Sequence, residues 1–493
     1  MRLSRLPLLA LAGVCAFPSG AIAQNKDAVT ICMTLEPPIL DPTSGAAQAI
    51  KEVTYGNIFE TLLIMMPNGK LKPGLAESFT ASADNLSYTF KIRSGVTFHD
   101  GTPMTSADVK FSFERAVAPD SKNATKNIFT PIASIETPDA TTVKITLKQV
   151  SANFISGLAY GDASIVSAKT AADNTTKPVG TGPYKYVDWS RGNRLQFTRS
   201  DSWWGGKAAI KDATFRFIPD PQAQLAAIQA GDCDAITNFG AIESVDVLKK
   251  DAKLKVTFGN TEGETIMAMN NAKPPFNDFR VRRAVAHAID RKLVIDGAMS
   301  GAATPIGSHF SPNHAAYVDL TGAVPFDPKK AKALLAEAGF PNGFSTTLKL
   351  PPPSYARRSG EVVAAMLADV GIKVSIEPVE FPQWLERVFR NKDYDLSIIA
   401  HTEPLDIGSY ARTDYYFQYQ SQAFRDLIVK AETTADETAR HAVYGDAQRM
   451  LVADQVNVFL FMLPKITVTK VGLKGVWENW PLPVNPLTDI SWQ

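Results

Sequence analysis

Between residues 346 and 400 the apolar positions change period four times. Short apolar runs at 346–350, 372–376 and 396–400 read as strands, and helical spacing fills 360–369 and 382–390. A β-α-β-α-β run of this kind predicts parallel strands joined by right-handed crossovers. The last run contains β-branched Ile398 and Ile399, then the chain turns polar at His401, Thr402, Glu403, Pro404 and Asp406. Ligands of open α/β sheets sit just beyond the carboxyl ends of strands. His401, Glu403 and Asp406 therefore form a candidate binding edge, with a plain surface loop as the competing reading.

The same patterning organises the rest of the chain. Strands are expected at 28–34, 87–92, 143–147, 215–218, 266–269 and 456–461. Residues 52–65 carry helical spacing. Thr105 to Asp108 is a capping box opening a helix to about Arg115. Residues 178–206 read as a hairpin about Arg191-Gly192-Asn193, entered through a bend fixed by Gly180 and Gly182. Helices are expected at 221–230, stopped by Gly231, after Asp278, after Asp327-Pro328, and through most of 418–450.

Length and charge narrow the classes. A chain of 493 residues exceeds one core. Its 51 Lys+Arg nearly cancel 50 Asp+Glu, with no basic stripe, so no nucleic-acid partner is expected. Arg2 and Arg5, an apolar stretch at 6–17 and Ala21-Ile22-Ala23 read as a signal peptide over 1–23, with the mature chain starting at Gln24. The expected location is periplasmic. Cys32 and Cys233 remain after cleavage and are candidates for pairing in an oxidising compartment. No nucleophile elbow, zinc-protease helix, phosphate loop or dinucleotide fingerprint occurs, and no Cys/His cluster has metal spacing. The expectation is a binding protein, not an enzyme, with no cofactor and no metal.

The block LAESFTASADNLSYTFKIRSGVTFHDGTPMTSADVKFSFERA resembles the signature region of family 5 extracellular solute-binding proteins, the peptide/nickel class that serves ABC importers. The likeness continues in VGTGPYKYVDW, WWGGKAAI, LAAIQAGDCDA, NNAKPPFNDFRVRRAVAHAIDR and FDPKKAKALLAEAGFPNGF. It implies an α/β, two-lobed periplasmic-binding-protein fold of the type II clamshell kind, with a subdomain inserted in the first lobe. Carried onto this chain, lobe I is 24–50, 178–262 and 467–493, the subdomain is 51–177, and lobe II is 263–466. The lobes would cross near Glu262–Glu264 and Leu463–Ile466, where Gly263 and Pro464 suit a hinge.

The resemblance also implies the function: capture of a small solute, by default a di- or oligopeptide, and delivery by a monomer to membrane ABC permease subunits. Peptide-binding relatives hold the ligand ammonium with an acid after the strand matching 396–400, which falls in Glu403–Asp406. They usually show D-x-x-D-P there, and this chain has AHTEPLDI. Arg412 is a candidate for a ligand carboxylate, and Tyr415 and Tyr416 for pocket walls. Asn270 and Tyr55 complete the candidate set. Alternatives are an opine or sugar-amino compound, a metal chelate such as nickel with His401 as ligand, and a chaperone-like binder.

Overall fold

The computed structural model describes residues 26–402 and 406–493. The leader assigned to 1–23, the start at Gln24 and the candidate Glu403 lie outside the described residues.

Two mixed sheets form the framework. The first has seven strands in the order Leu254–Gly259, Lys465–Lys470, Ala235–Ile236, Ala28–Met33, Asp212–Phe217, Arg194–Arg199, Tyr184–Ser190. The second has six, in the order Thr304–Pro305, Asn457–Met462, Glu264–Met269, Leu396–His401, Ser345–Leu350, Lys373–Pro378. In the second sheet Ser345–Leu350 pairs in parallel with both Lys373–Pro378 and Leu396–His401, as the alternating pattern predicts. Every residue of Glu264–Met269 and Asn457–Met462 is buried, as in a sheet covered on both faces.

The chain passes between the sheets twice, from Leu254–Gly259 to Glu264–Met269 and from Asn457–Met462 to Lys465–Lys470. The two crossings bond to each other. Leu463 N–H donates to Gly263 O at 2.7 Å, and the Thr261 hydroxyl donates to Leu463 O at 2.5 Å. A four-stranded antiparallel sheet, Ala76–Ala81, Ser87–Ile92, Thr142–Leu147 and Ile132–Asp139, packs its own core around Phe90, Phe113 and Phe154. The fold is that of a type II periplasmic binding protein with an inserted subdomain. Cys32 and Cys233 form a disulfide with Cα atoms 5.8 Å apart. Parallel pairing of Ala28–Met33 with Ala235–Ile236 brings the two cysteines together.

Local expectations hold where turn and cap chemistry is strong. The Asp108 carboxylate accepts from Thr105 N–H at 2.8 Å at the start of helix Ser106–Val117. The expected hairpin forms between Tyr184–Ser190 and Arg194–Arg199. The helix expected at 52–65 is corrected. It spans Gln48–Thr54 and stops before Gly56 at φ 72°, and Leu63–Met65 is a strand. The apolar letters after Thr54 serve burial, not helical period. Gly180 and Gly182 do more than bend the chain: a Cβ on either would lie 2.0 Å from Ile58 O or 2.3 Å from Asn57 O, so the backbones touch there.

Among the described residues no helix is long and apolar enough to cross a membrane.

Candidate functional site

A cavity of about 670 Å³ opens between the two lobes. Gln48, Lys51, Lys126, Asn127 and Tyr160 line one side; Tyr355, Trp384, His401, Arg412, Tyr415, Tyr416, Arg425 and Glu432 line the other. The size is that of a small-molecule site, and aromatic walls with a few convergent polar groups are its usual composition. Bonds span the cleft mouth. Ala152 N–H donates to Glu432 O at 2.8 Å, and Asn153 Nδ2 donates to the Tyr444 hydroxyl at 2.7 Å. Near the crossings, the Ser354 hydroxyl donates to Gly240 O at 2.9 Å, and Arg358 pairs with Glu243 at 2.6 Å. These contacts tie the two lobes together across the cleft.

The strand Leu396–His401 delivers His401 to this cavity, and a 3-10 turn Asp406–Ala411 brings Asp406 back beside it. Asp406 Oδ2 meets His401 Nδ1 at 2.5 Å, and its Oδ1 meets His309 Nε2 at 2.5 Å. His401 Nε2 lies 2.9 Å from the Tyr416 hydroxyl. Burial raises the Asp406 carboxyl, but His309 and His401 outweigh it and hold the group well below the usual carboxylate range. The sequence places this edge at the cavity wall, yet its polar atoms mostly satisfy one another. Glu264 adjoins the cluster, being the register partner of His401. Burial, then the charges of Asp406 and Glu262, push its carboxyl well above the ordinary range. Oε2 of Glu264 and Nδ1 of His309 have no hydrogen-bond partner among the described residues.

The groups with bonding capacity left lie elsewhere on the wall. Arg412 stacks over the Tyr415 ring at 5.1 Å and meets Asp414 at 3.2 Å, in an exposed pair of small strength. Lys51 is held by buried Asp162 at 2.7 Å. Lys126 has no ion pair among the described residues, and Nη1 of Arg425 is buried without a hydrogen-bond partner. Glu432 is the cavity's counterpart carboxylate, and burial pushes it up to about 7.

Two candidates lie away from this cavity. Asn270 follows Met269, which pairs with Leu396, so it stands at the far end of the strand from Glu264 and His401, about 20 Å away. Its amide donates to Lys392 O at 3.0 Å and Tyr394 O at 3.2 Å, fixing a turn. Tyr55 lies outside the cavity lining, and its hydroxyl donates to Ala159 O at 2.6 Å. Sequence reasoning missed Lys126, His309, Arg425 and Glu432. One signal was available for two of them. Arg425 sits near the start and Glu432 near the end of helix Gln422–Thr433, each against the helix dipole. Charges placed against a dipole call for another reason to be there.

Two lobes, two crossings and a large cavity between the lobes are the architecture of a solute-capture protein. The profile of bacterial extracellular solute-binding proteins, family 5 Middle, matches residues 70–422, and the chain belongs to this family. It is the solute-binding component of an ABC importer. Glutathione-binding protein GsiB of Shigella dysenteriae serotype 1 is 33% identical over 499 residues, 96% of each chain. Heme-binding protein A of Haemophilus influenzae is 32% identical over 66% of this chain and 65% of that protein. Among solved structures, DppA from Helicobacter pylori in complex with peptide STSA has a TM-score of 0.88 at 26% identity, covering 94% of this chain and 98% of that one. AgaA from A. tumefacien R10 in complex with agropinic acid has a TM-score of 0.86 at 28% identity, covering 94% and 99%.

Proposed function

We propose that the chain captures a small amino-acid-derived solute carrying more carboxylate than ammonium charge, either a short peptide-like compound or an opine. The carrying observation is the charge balance of the cavity wall. Lys126 and Arg425 lack acidic partners among the described residues, Arg412 is held only by an exposed pair, and Glu432 is the opposing carboxylate. Guanidinium groups suit carboxylates because their planar fork can donate two parallel bonds. Glu432 would take the ammonium, Arg425 and Lys126 the carboxylates, and Tyr415 and Trp384 would cover the apolar body. A relative named for glutathione and a neighbour holding agropinic acid support this ligand class. The neighbour holding a peptide supports the peptide branch.

The protein would act as a periplasmic monomer, exported by a leader cleaved before Gln24, and would hand its solute to membrane permease subunits. The disulfide fits an oxidising compartment. Native mass spectrometry of protein purified gently from the periplasm tests the ligand class. The expected bound mass is an amine compound with at least two carboxylates. A bound neutral sugar, or a peptide with no acidic side chain, would contradict it.

A further inference from the structure

We infer that Glu264, His309 and Asp406 form a binding site for one divalent transition-metal cation in the wall of lobe II, with His401 holding Asp406 from behind. One ligand atom from each of Glu264, His309 and Asp406 lies within 4.8 Å of the others, and His401 Nδ1 touches the second oxygen of Asp406 at 2.5 Å. The donors and His401 arrive from separate parts of the fold. Glu264 opens the strand that follows a lobe crossing, His401 ends the neighbouring strand, Asp406 begins the returning 3-10 turn, and His309 comes from a segment almost a hundred residues earlier. Glu264 supplies the independent observation. It is 3% exposed inside a fully buried strand, one of its carboxylate oxygens lies within 4.8 Å of the His309 and Asp406 donors, and its Oε2 has no partner among the described residues. A buried carboxylate oxygen left without a partner is costly unless something else meets it. A cation would.

The donor set selects the kind of cation. One imidazole with two carboxylates suits zinc and its neighbours, whereas magnesium and calcium prefer oxygen alone. Donors of a tetrahedral site with bonds of about 2.1 Å stand roughly 3.4 Å apart. The Asp406–His309 contact would therefore open by about an ångström as the ion replaces the shared proton. Glu262 adds negative charge close by and is itself fixed by the Ser311 hydroxyl at 2.8 Å. Asp406 and His401 also line the solute cavity, which gives the ion a path of entry. Once bound, it would tie the lobe crossing to the cavity wall. The inference is independent of the solute proposed above.

The test uses tag-free mature protein, stripped with chelator and titrated with Zn²⁺ alone by calorimetry, with elemental analysis after dialysis. The expected result is one ion per chain at micromolar or tighter affinity, unaffected by excess Mg²⁺ or Ca²⁺. Glu264→Gln and His309→Gln should each weaken binding by about tenfold or more. Should one variant fail to fold, the other decides. Co²⁺ loading of the wild-type protein gives a third readout, since visible absorption reports an ordered nitrogen and oxygen coordination sphere. Wild-type protein that retains no stoichiometric zinc, or zinc binding unchanged in a folded variant, would overturn the site and show a purely hydrogen-bonded cluster.

Discussion

Glu432, the proposed partner of the solute ammonium, illustrates how a binding residue can oppose stability. Its carboxyl titrates near 7 in the folded protein because burial disfavours the charge. The unfolded chain releases that proton near 4.5. Between these values the folded state holds the extra proton, so the stability of the unliganded protein falls as pH rises from about 4.5 to about 7. Glu432→Gln should remove this penalty and raise the stability of the empty protein at pH 8 by roughly 1–3 kcal/mol. The same variant should lose affinity for an amine-bearing solute, because a bound ammonium favours the charged carboxylate. Thermal melts at pH 5 and pH 8, with and without ligand, check both halves. Loss of stability in the variant at pH 8 would contradict the assignment. Arg425→Ala, in turn, should weaken binding of a carboxylate solute by about 1.5–3 kcal/mol while leaving the empty protein almost unchanged.

At the scale of elements, the disulfide between Cys32 and Cys233 closes a loop with a sequence separation of 201 and pins the first strand beside Ala235–Ile236. In the chain-entropy account such a closure stabilises by up to about 5 kcal/mol. A Cys32→Ala/Cys233→Ala variant should therefore melt several degrees lower, and reductant should lower the wild-type melting temperature but not the variant's. Equal melting with and without reductant would contradict this. The elements themselves were largely legible. Ile398 and Ile399 marked a buried strand, the alternating run from 346 to 400 gave parallel pairing, and turn and cap chemistry placed the hairpin and the Thr105 start. What escaped was tertiary in origin. The helical letters of 52–65 carry burial by a helix, a turn and a strand in succession. His309 meets Asp406 only because two distant segments pack together, and no local spacing encodes that. On a surface helix Glu432 and Arg425 read as ordinary solvated charges, apart from their opposition to the dipole.

For the whole molecule, the proposed capture works by closure, and a ligand can shift that balance only through its differential affinity for the closed form. Four contacts across the cleft assist it, at Ala152, Asn153, Ser354 and Arg358. The Arg358–Glu243 pair is partly exposed and is worth no more than about 1 kcal/mol. Arg358→Ala should accordingly weaken ligand binding by about fivefold or less. It should also enlarge the unliganded protein in small-angle scattering while leaving the liganded form compact. An unchanged affinity together with an unchanged unliganded profile would remove this pair from the closing balance. The account's central claim concerns the charge preference of the closed cavity. Its most direct test is isothermal titration of the wild-type protein and Arg425→Ala with two probes of similar size, glutathione and a neutral tripeptide such as trialanine. The account expects wild-type protein to bind glutathione at least tenfold more tightly than trialanine, and Arg425→Ala to lose most of that difference. Equal binding of the two probes, or a preference that survives Arg425→Ala intact, would contradict it.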